Sequence, residues 1–119
     1  MSDPTDKSMQ QVILEDGRYP PGAYGFLHEG LMKAVEEVHG TEGTLGAHKH
    51  VSGQELCRSL RDLATERWGQ LARTVLAKWN IHATIDFGNM VFVLVNANFM
   101  WATEADSVED FRDVYDFDE

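Results

Sequence analysis

Ser52-Gly53-Gln54-Glu55-Leu56 opens the part of the chain, Val51 to Trp101, that holds most of its core-forming residues. Ser-x-x-Glu is the pattern of a capping box. The Ser52 hydroxyl can accept from the backbone N–H of Glu55, and the Glu55 carboxylate can accept from the N–H of Ser52. Leu56, Leu60, Leu63 and Ala64 follow at helical spacing. They predict a helix from Ser52 to about Trp68, stopped at Gly69. Leu71, Ala72, Val75, Leu76 and Trp79 resume the pattern. They predict a further helix from about Gln70 to Trp79, with Asn80 as its left-handed cap. Asp86 offers an N-cap before Phe87. The block Met90–Val95 that follows reads two ways. Its β-branched and aromatic content suits a strand. Its flank suits a helix, because a cap precedes it and Phe87, Val91, Leu94 and Val95 share one face. A fully buried helix is the preferred reading, and a hairpin turning at Asn96-Ala97-Asn98, with Phe99 to Ala102 extended, is the alternative.

Working outward, residues 1–10 read as a polar, disordered leader with little apolar surface. Val12, Ile13 and Leu14 suggest one short helical turn or strand. Asp16-Gly17 and Tyr19-Pro20-Pro21-Gly22 are turn signals, and Pro21 suits the first turn of a helix. Tyr24, Leu27, Leu31, Ala34, Val35 and Val38 then recur at helical spacing, which predicts a first long helix from about Ala23 to His39. Glu29 and Lys33 stand in the favourable i, i+4 order on it. The glycines between Gly40 and Lys49 mark a loop. The expected fold is mainly α: one domain over 11–119, a bundle of about four helices, with a small two-stranded element near Phe99 and the tail as an option at its end.

With 119 residues and 43% hydrophobic content the chain can build one core. The longest apolar run, Met90–Val95, is far short of the roughly 20 residues a membrane-spanning helix needs. The first residues have neither the basic nor the apolar region of a signal peptide. Cys57 is the one cysteine, so no intrachain disulfide can form, and a reducing cytoplasm fits. The net charge of −10 is uneven: residues 103–119 carry eight acids against one base, Arg112. Such a chain is poorly suited to neutralising phosphates and better suited to a basic partner.

Motifs for catalysis or metal binding do not assemble. His48 and His50 are the weak metal candidates, with His39 or Cys57 as further ligands. A zinc site needs three or four ligands, and no second clustered pair is present. Glu36-x-x-His39 has di-iron spacing, but its required second copy is missing. Asp86-Phe87-Gly88 spells a kinase tripeptide without a kinase's other motifs. The glycines of the 40s loop precede no Lys-Ser/Thr pair, so they make no phosphate loop. Cys57 lies beside an apolar stripe and reads as a small core residue. No cofactor is implied. The two helices around Gly69 carry Arg58, Arg61, Arg67, Arg73 and Lys78 and could pass for a helix-turn-helix, yet a solvated polar face explains them as well.

Four blocks together carry a resemblance: Arg18-Tyr19-Pro20-Pro21-Gly22-Ala23-Tyr24, His50-Val51-Ser52-Gly53-Gln54-Glu55-Leu56, Thr84-Ile85-Asp86-Phe87-Gly88, and Glu109-Asp110-Phe111-Arg112-Asp113-Val114-Tyr115-Asp116-Phe117. In this order they resemble a hypothetical-protein family of planctomycete and verrucomicrobial bacteria, whose members have no assigned activity. The resemblance implies a bacterial, cytosolic, single-domain protein and brings no catalytic residue with it. The functional expectation therefore rests on the last block. Asp110, Phe111, Asp113, Tyr115, Asp116 and Phe117 form an acidic-aromatic segment suited to contacting a basic protein surface in a non-enzymatic, adaptor-like role. The alternative is that these aromatics close the protein's own core. A small metal protein using His48 and His50, and a helix-turn-helix nucleic-acid binder, are the further alternatives.

Overall fold

The computed structural model describes residues 8–39, 51–97 and 107–117. Five α-helices lie in these segments: α1 (Met9–Asp16), α2 (Pro21–His39), α3 (Gly53–Trp68), α4 (Ala72–Lys78) and α5 (Thr84–Asn96). A 3-10 turn, Gly69–Leu71, joins α3 to α4, and a second, Val108–Phe111, lies in the C-terminal segment. The expected architecture holds: four principal helices and a short first one surround one core. Among the described residues there is no strand, and no helix is long and apolar enough to cross a membrane.

Local signals account for most helix ends. Ser52 caps α3 as its sequence predicts: the Glu55 N–H donates to Ser52 Oγ at 3.0 Å, and the Ser52 N–H donates to Glu55 Oε1 at 2.9 Å. Asn80 ends α4 in the left-handed region, at φ 65°. The Ile81 N–H donates to the Leu76 carbonyl at 2.9 Å, and the Asn80 N–H donates to the Ala77 carbonyl at 3.0 Å. Ile81 also buries itself with Leu76, completing a Schellman motif with its hydrophobic contact.

Three expectations change. The leader does not extend to residue 10, because a second capping box, Ser8 with Gln11, starts α1 at Met9; residues 1–7 lie outside the described residues. The apolar block is helical through Asn96, so no hairpin turns at Asn96 and Ala97; Asn98 and Phe99–Ala102 lie outside the described residues. Asp86 is not the N-cap of α5 but its third residue. Its carboxylate reaches back to accept from the N–H groups of His82 (2.8 Å) and Ala83 (3.1 Å). Tyr19 OH donates to the other oxygen of that carboxylate at 2.7 Å, which fastens the start of α5 to the α1–α2 connection.

The core is built on Phe26 of α2. Its ring lies 5.2 Å from Trp68, 5.9 Å from Trp79 and 6.4 Å from Phe87, centroid to centroid, so one side chain joins α2, α3, the end of α4 and α5. Leu27, Leu60, Ile81 and Met90 are fully buried in the same core. On the surface Lys33 pairs with Glu37 at 2.8 Å, and Glu29 reaches Arg67 on α3. The α2–α3 approach depends on Gly30. A β-carbon there would overlap Cδ2 and Cγ of Leu60, which is fully buried and has no space to retreat into. Overpacking costs about 1–3 kcal/mol, and Ala in place of Gly in a helix returns about 1 kcal/mol. Gly30→Ala is therefore expected to lower stability by up to about 2 kcal/mol in urea unfolding. In a Leu60→Ala background the same change should become stabilising. A gain in the wild-type background would show that the two helices do not approach this closely.

Candidate functional site

The C-terminal segment 107–117 lies across α5 and the start of α3, and Phe111 fixes it there. Only 4% of Phe111 is exposed, and its ring enters a slot between Gly53 of α3 and Gly88 of α5. A β-carbon on Gly88 would come within 2.8 Å of Cβ, Cγ and Cδ2 of Phe111; one on Gly53 would come within 3.0 Å of its Cε2. Both glycines are thus the walls of this slot. Thr84 at the first position of α5 forms the polar half of the attachment. Its hydroxyl donates to the Phe111 carbonyl at 2.6 Å and accepts from the Val114 N–H at 3.1 Å. Thr84 is fully buried, so both backbone groups are satisfied away from water.

Beyond this clasp the segment turns at Asp113, in the left-handed region at φ 52°. It then lays two rings inward. Tyr115 stacks on Phe117 with centroids 5.3 Å apart, and Phe117 meets Phe87 at 6.2 Å. The Arg61 guanidinium lies over the Tyr115 ring at 5.8 Å. Burial holds the Tyr115 hydroxyl well above its ordinary pKa, so it stays protonated. Burial also pushes the neighbouring Cys57 thiol up to about 12, and with no exposed surface it is no nucleophile.

The acids of the segment face the other way. Glu109, Asp113 and Asp116 are exposed and Asp110 is half-buried. Glu109 is bound by Arg112 through contacts of 2.6 and 3.0 Å, and Asp110 accepts from the Ser107 N–H at 3.0 Å. Of the six residues expected to meet a partner, Phe111 is a core side chain and Tyr115 and Phe117 are half-buried. Asp110 is half-buried as well, and Asp113 and Asp116 are exposed. The sequence named the segment but not its anchors, Thr84, Gly53 and Gly88. The signal available for Gly88 was a glycine inside an apolar helical run, where it weakens the helix unless something packs against it.

Under the end of the segment a cleft of about 320 Å³ opens between α3, the Gly69–Leu71 turn and α4. Ala64 and Leu76 lie on its apolar side; Arg61, Thr65, Gln70 and Arg73 supply polar groups; Tyr115 and Phe117 form the wall given by the segment. The basic residues expected to share a helix-turn-helix face are therefore divided. Arg67 is taken by Glu29 on α2, while Arg61 and Arg73 border the cleft. His48 and His50 lie outside the described residues, and among the described residues no three His, Cys, Asp or Glu side chains gather. No protein-family model matches the chain, and neither does any curated protein or any solved structure, so the reading of this site rests on its geometry.

Proposed function

We propose that this chain is a non-enzymatic interaction domain that contacts a basic protein surface through the outer face of segment 107–117, in a reducing cytoplasm. One observation supports this reading above the others. The segment is clamped by Phe111 and Thr84 with its aromatics turned inward, so the exposed Asp113 and Asp116 and the half-buried Asp110 stand on a fixed frame. Acids held by a rigid support steer a basic partner without the ordering cost that a loose acidic tail would carry. The part assigned to the aromatics is accordingly smaller than the sequence suggested: they build the frame, and the carboxylates make the contact.

The test is a variant with Asp110, Asp113 and Asp116 all changed to Asn. Asn tolerates the left-handed backbone of position 113 and keeps an acceptor for the Ser107 N–H, so the fold should persist. Proteins retained on the wild-type chain from host lysate are identified, and the association rate of a purified partner is measured at low and high salt. The wild-type rate should fall with salt. The triple variant should associate about tenfold more slowly at low salt and lose most of that dependence. An unchanged rate and salt response would remove the carboxylates from the contact.

A further inference from the structure

We infer that the cleft between α3, α4 and the end of segment 107–117 binds a small planar anion, an aromatic or conjugated ring bearing one carboxylate or phosphate group. The inference rests on Arg61, Tyr115 and Phe117, none of which makes the proposed partner contact, so either can fail alone although Asp116 borders both. Size is the first argument. About 320 Å³ is at the lower end of the range of small-molecule sites and holds one or two rings with a substituent. Charge is the second. Arg61 and Arg73 border the cleft against one carboxylate, Asp116, in a chain whose net charge is −10. The planar guanidinium fork of Arg61 matches carboxylate and phosphate oxygens.

Shape is the third argument. Tyr115 and Phe117, stacked on each other, line one side of the cleft, and Ala64 and Leu76 give it an apolar side. A ring can lie against these surfaces while its anionic group reaches Arg61. Arg73 and Asp116 already engage other groups, so the inference rests on Arg61. Its ion pair with Asp62 is made through Nε at 3.4 Å, and its contact with Tyr115 places the guanidinium carbon 5.8 Å from the ring centroid. Among the described residues these contacts leave its two terminal NH₂ groups for a ligand.

The experiment is a titration of the full chain followed by ¹H–¹⁵N NMR, reading the Arg61 Nε–H and the amides of Gln70, Tyr115 and Phe117. The probes are adenosine 5′-monophosphate and 4-hydroxybenzoate, their neutral counterparts adenosine and 4-hydroxybenzamide, and inorganic phosphate. At least one of the two ring anions should give saturable shifts confined to these residues, and which one does so tells a nucleotide from an aryl acid. Its neutral counterpart should bind about tenfold or more weakly, the effect of losing a charged hydrogen bond. Arg61→Gln should weaken the anion similarly, and Arg61→Lys, which keeps charge but not the fork, should fall between. Phe117→Leu, which removes a ring and leaves every charge, should weaken it too, and this variant decides the matter if Arg61→Gln does not fold. The proposal is overturned if neither ring anion saturates at millimolar concentration, if the neutral counterparts bind as well, or if inorganic phosphate alone binds as tightly.

Discussion

Phe111→Ala is expected to destabilise the chain by about 3–5 kcal/mol, the cost of truncating a fully packed aromatic. The ring is 4% exposed and is the one side chain of the C-terminal segment that enters the core. Equilibrium unfolding in urea of the full chain measures the change. The slot also makes a sharper, non-additive prediction. Gly88→Ala by itself places a methyl against Cβ, Cγ and Cδ2 of Phe111, atoms too near the backbone to swing aside, and after the helix-propensity gain of about 1 kcal/mol should still cost up to about 2 kcal/mol. With Phe111→Ala already present the obstacle is gone, and Ala at 88 should be neutral or gain up to about 1 kcal/mol from helix propensity. The coupling between the two sites therefore changes the sign of the second substitution. A cost below about 1 kcal/mol for Phe111→Ala would place the ring at the surface and return it to the partner contact.

Thr84→Val should cost about 2–4 kcal/mol although it leaves no cavity. Val keeps the shape of Thr and has a similar helix propensity, so neither packing nor the start of α5 accounts for a large loss. What disappears is a hydroxyl that serves two backbone groups at once. The Phe111 carbonyl and the Val114 N–H would both lose their partner, each at about 1–3 kcal/mol where it stays buried. Thr84→Ser is the control. It removes one buried methyl, worth about 1 kcal/mol, and keeps both hydrogen bonds. Equal losses for Val and Ser would show that water reaches those groups and that the hydroxyl is no clasp. Because residues 115–117 form one wall of the cleft, Thr84→Val should also weaken any anion bound there more than Thr84→Ser does.

The local chemistry of the chain determined where most helices begin and end. Ser52 and Glu55 are three residues apart and meet whatever the rest of the molecule does, and Asn80 accepts a left-handed backbone that few other residues tolerate. The periodicity after Pro21 likewise fixes α2, because its apolar side must find a core somewhere. α5 was less legible. Met90–Val95 is apolar throughout, so the sequence shows no contrast between the buried Met90, Val91 and Leu94 and the half-buried Phe92, Val93 and Val95. The helix is not the fully buried one expected, and the carboxylate ahead of it decided for helix. Even there the sequence did not say which residue caps. Asp86 caps from the third position by reaching back to His82 and Ala83, and Tyr19 adds a bond to its other oxygen from another part of the chain.

The end of the chain belongs to the tertiary structure alone. Acids alternate with Val108, Phe111, Val114, Tyr115 and Phe117 from Ser107 to Phe117, a pattern that suits a short helix or strand and an anchor for a partner as well as it suits a clasp. Phe111 goes inward because Gly53 and Gly88, remote in sequence, lack side chains at the same place and leave a slot the width of a ring. Arg61 and Arg73 read as a solvated polar face on their own helices. They border a cleft only because the anchored segment brings Tyr115 and Phe117 over them. Capping is settled by atoms a few residues apart, whereas slots and clefts are settled by what distant residues leave empty, and no single stretch of sequence records an empty space.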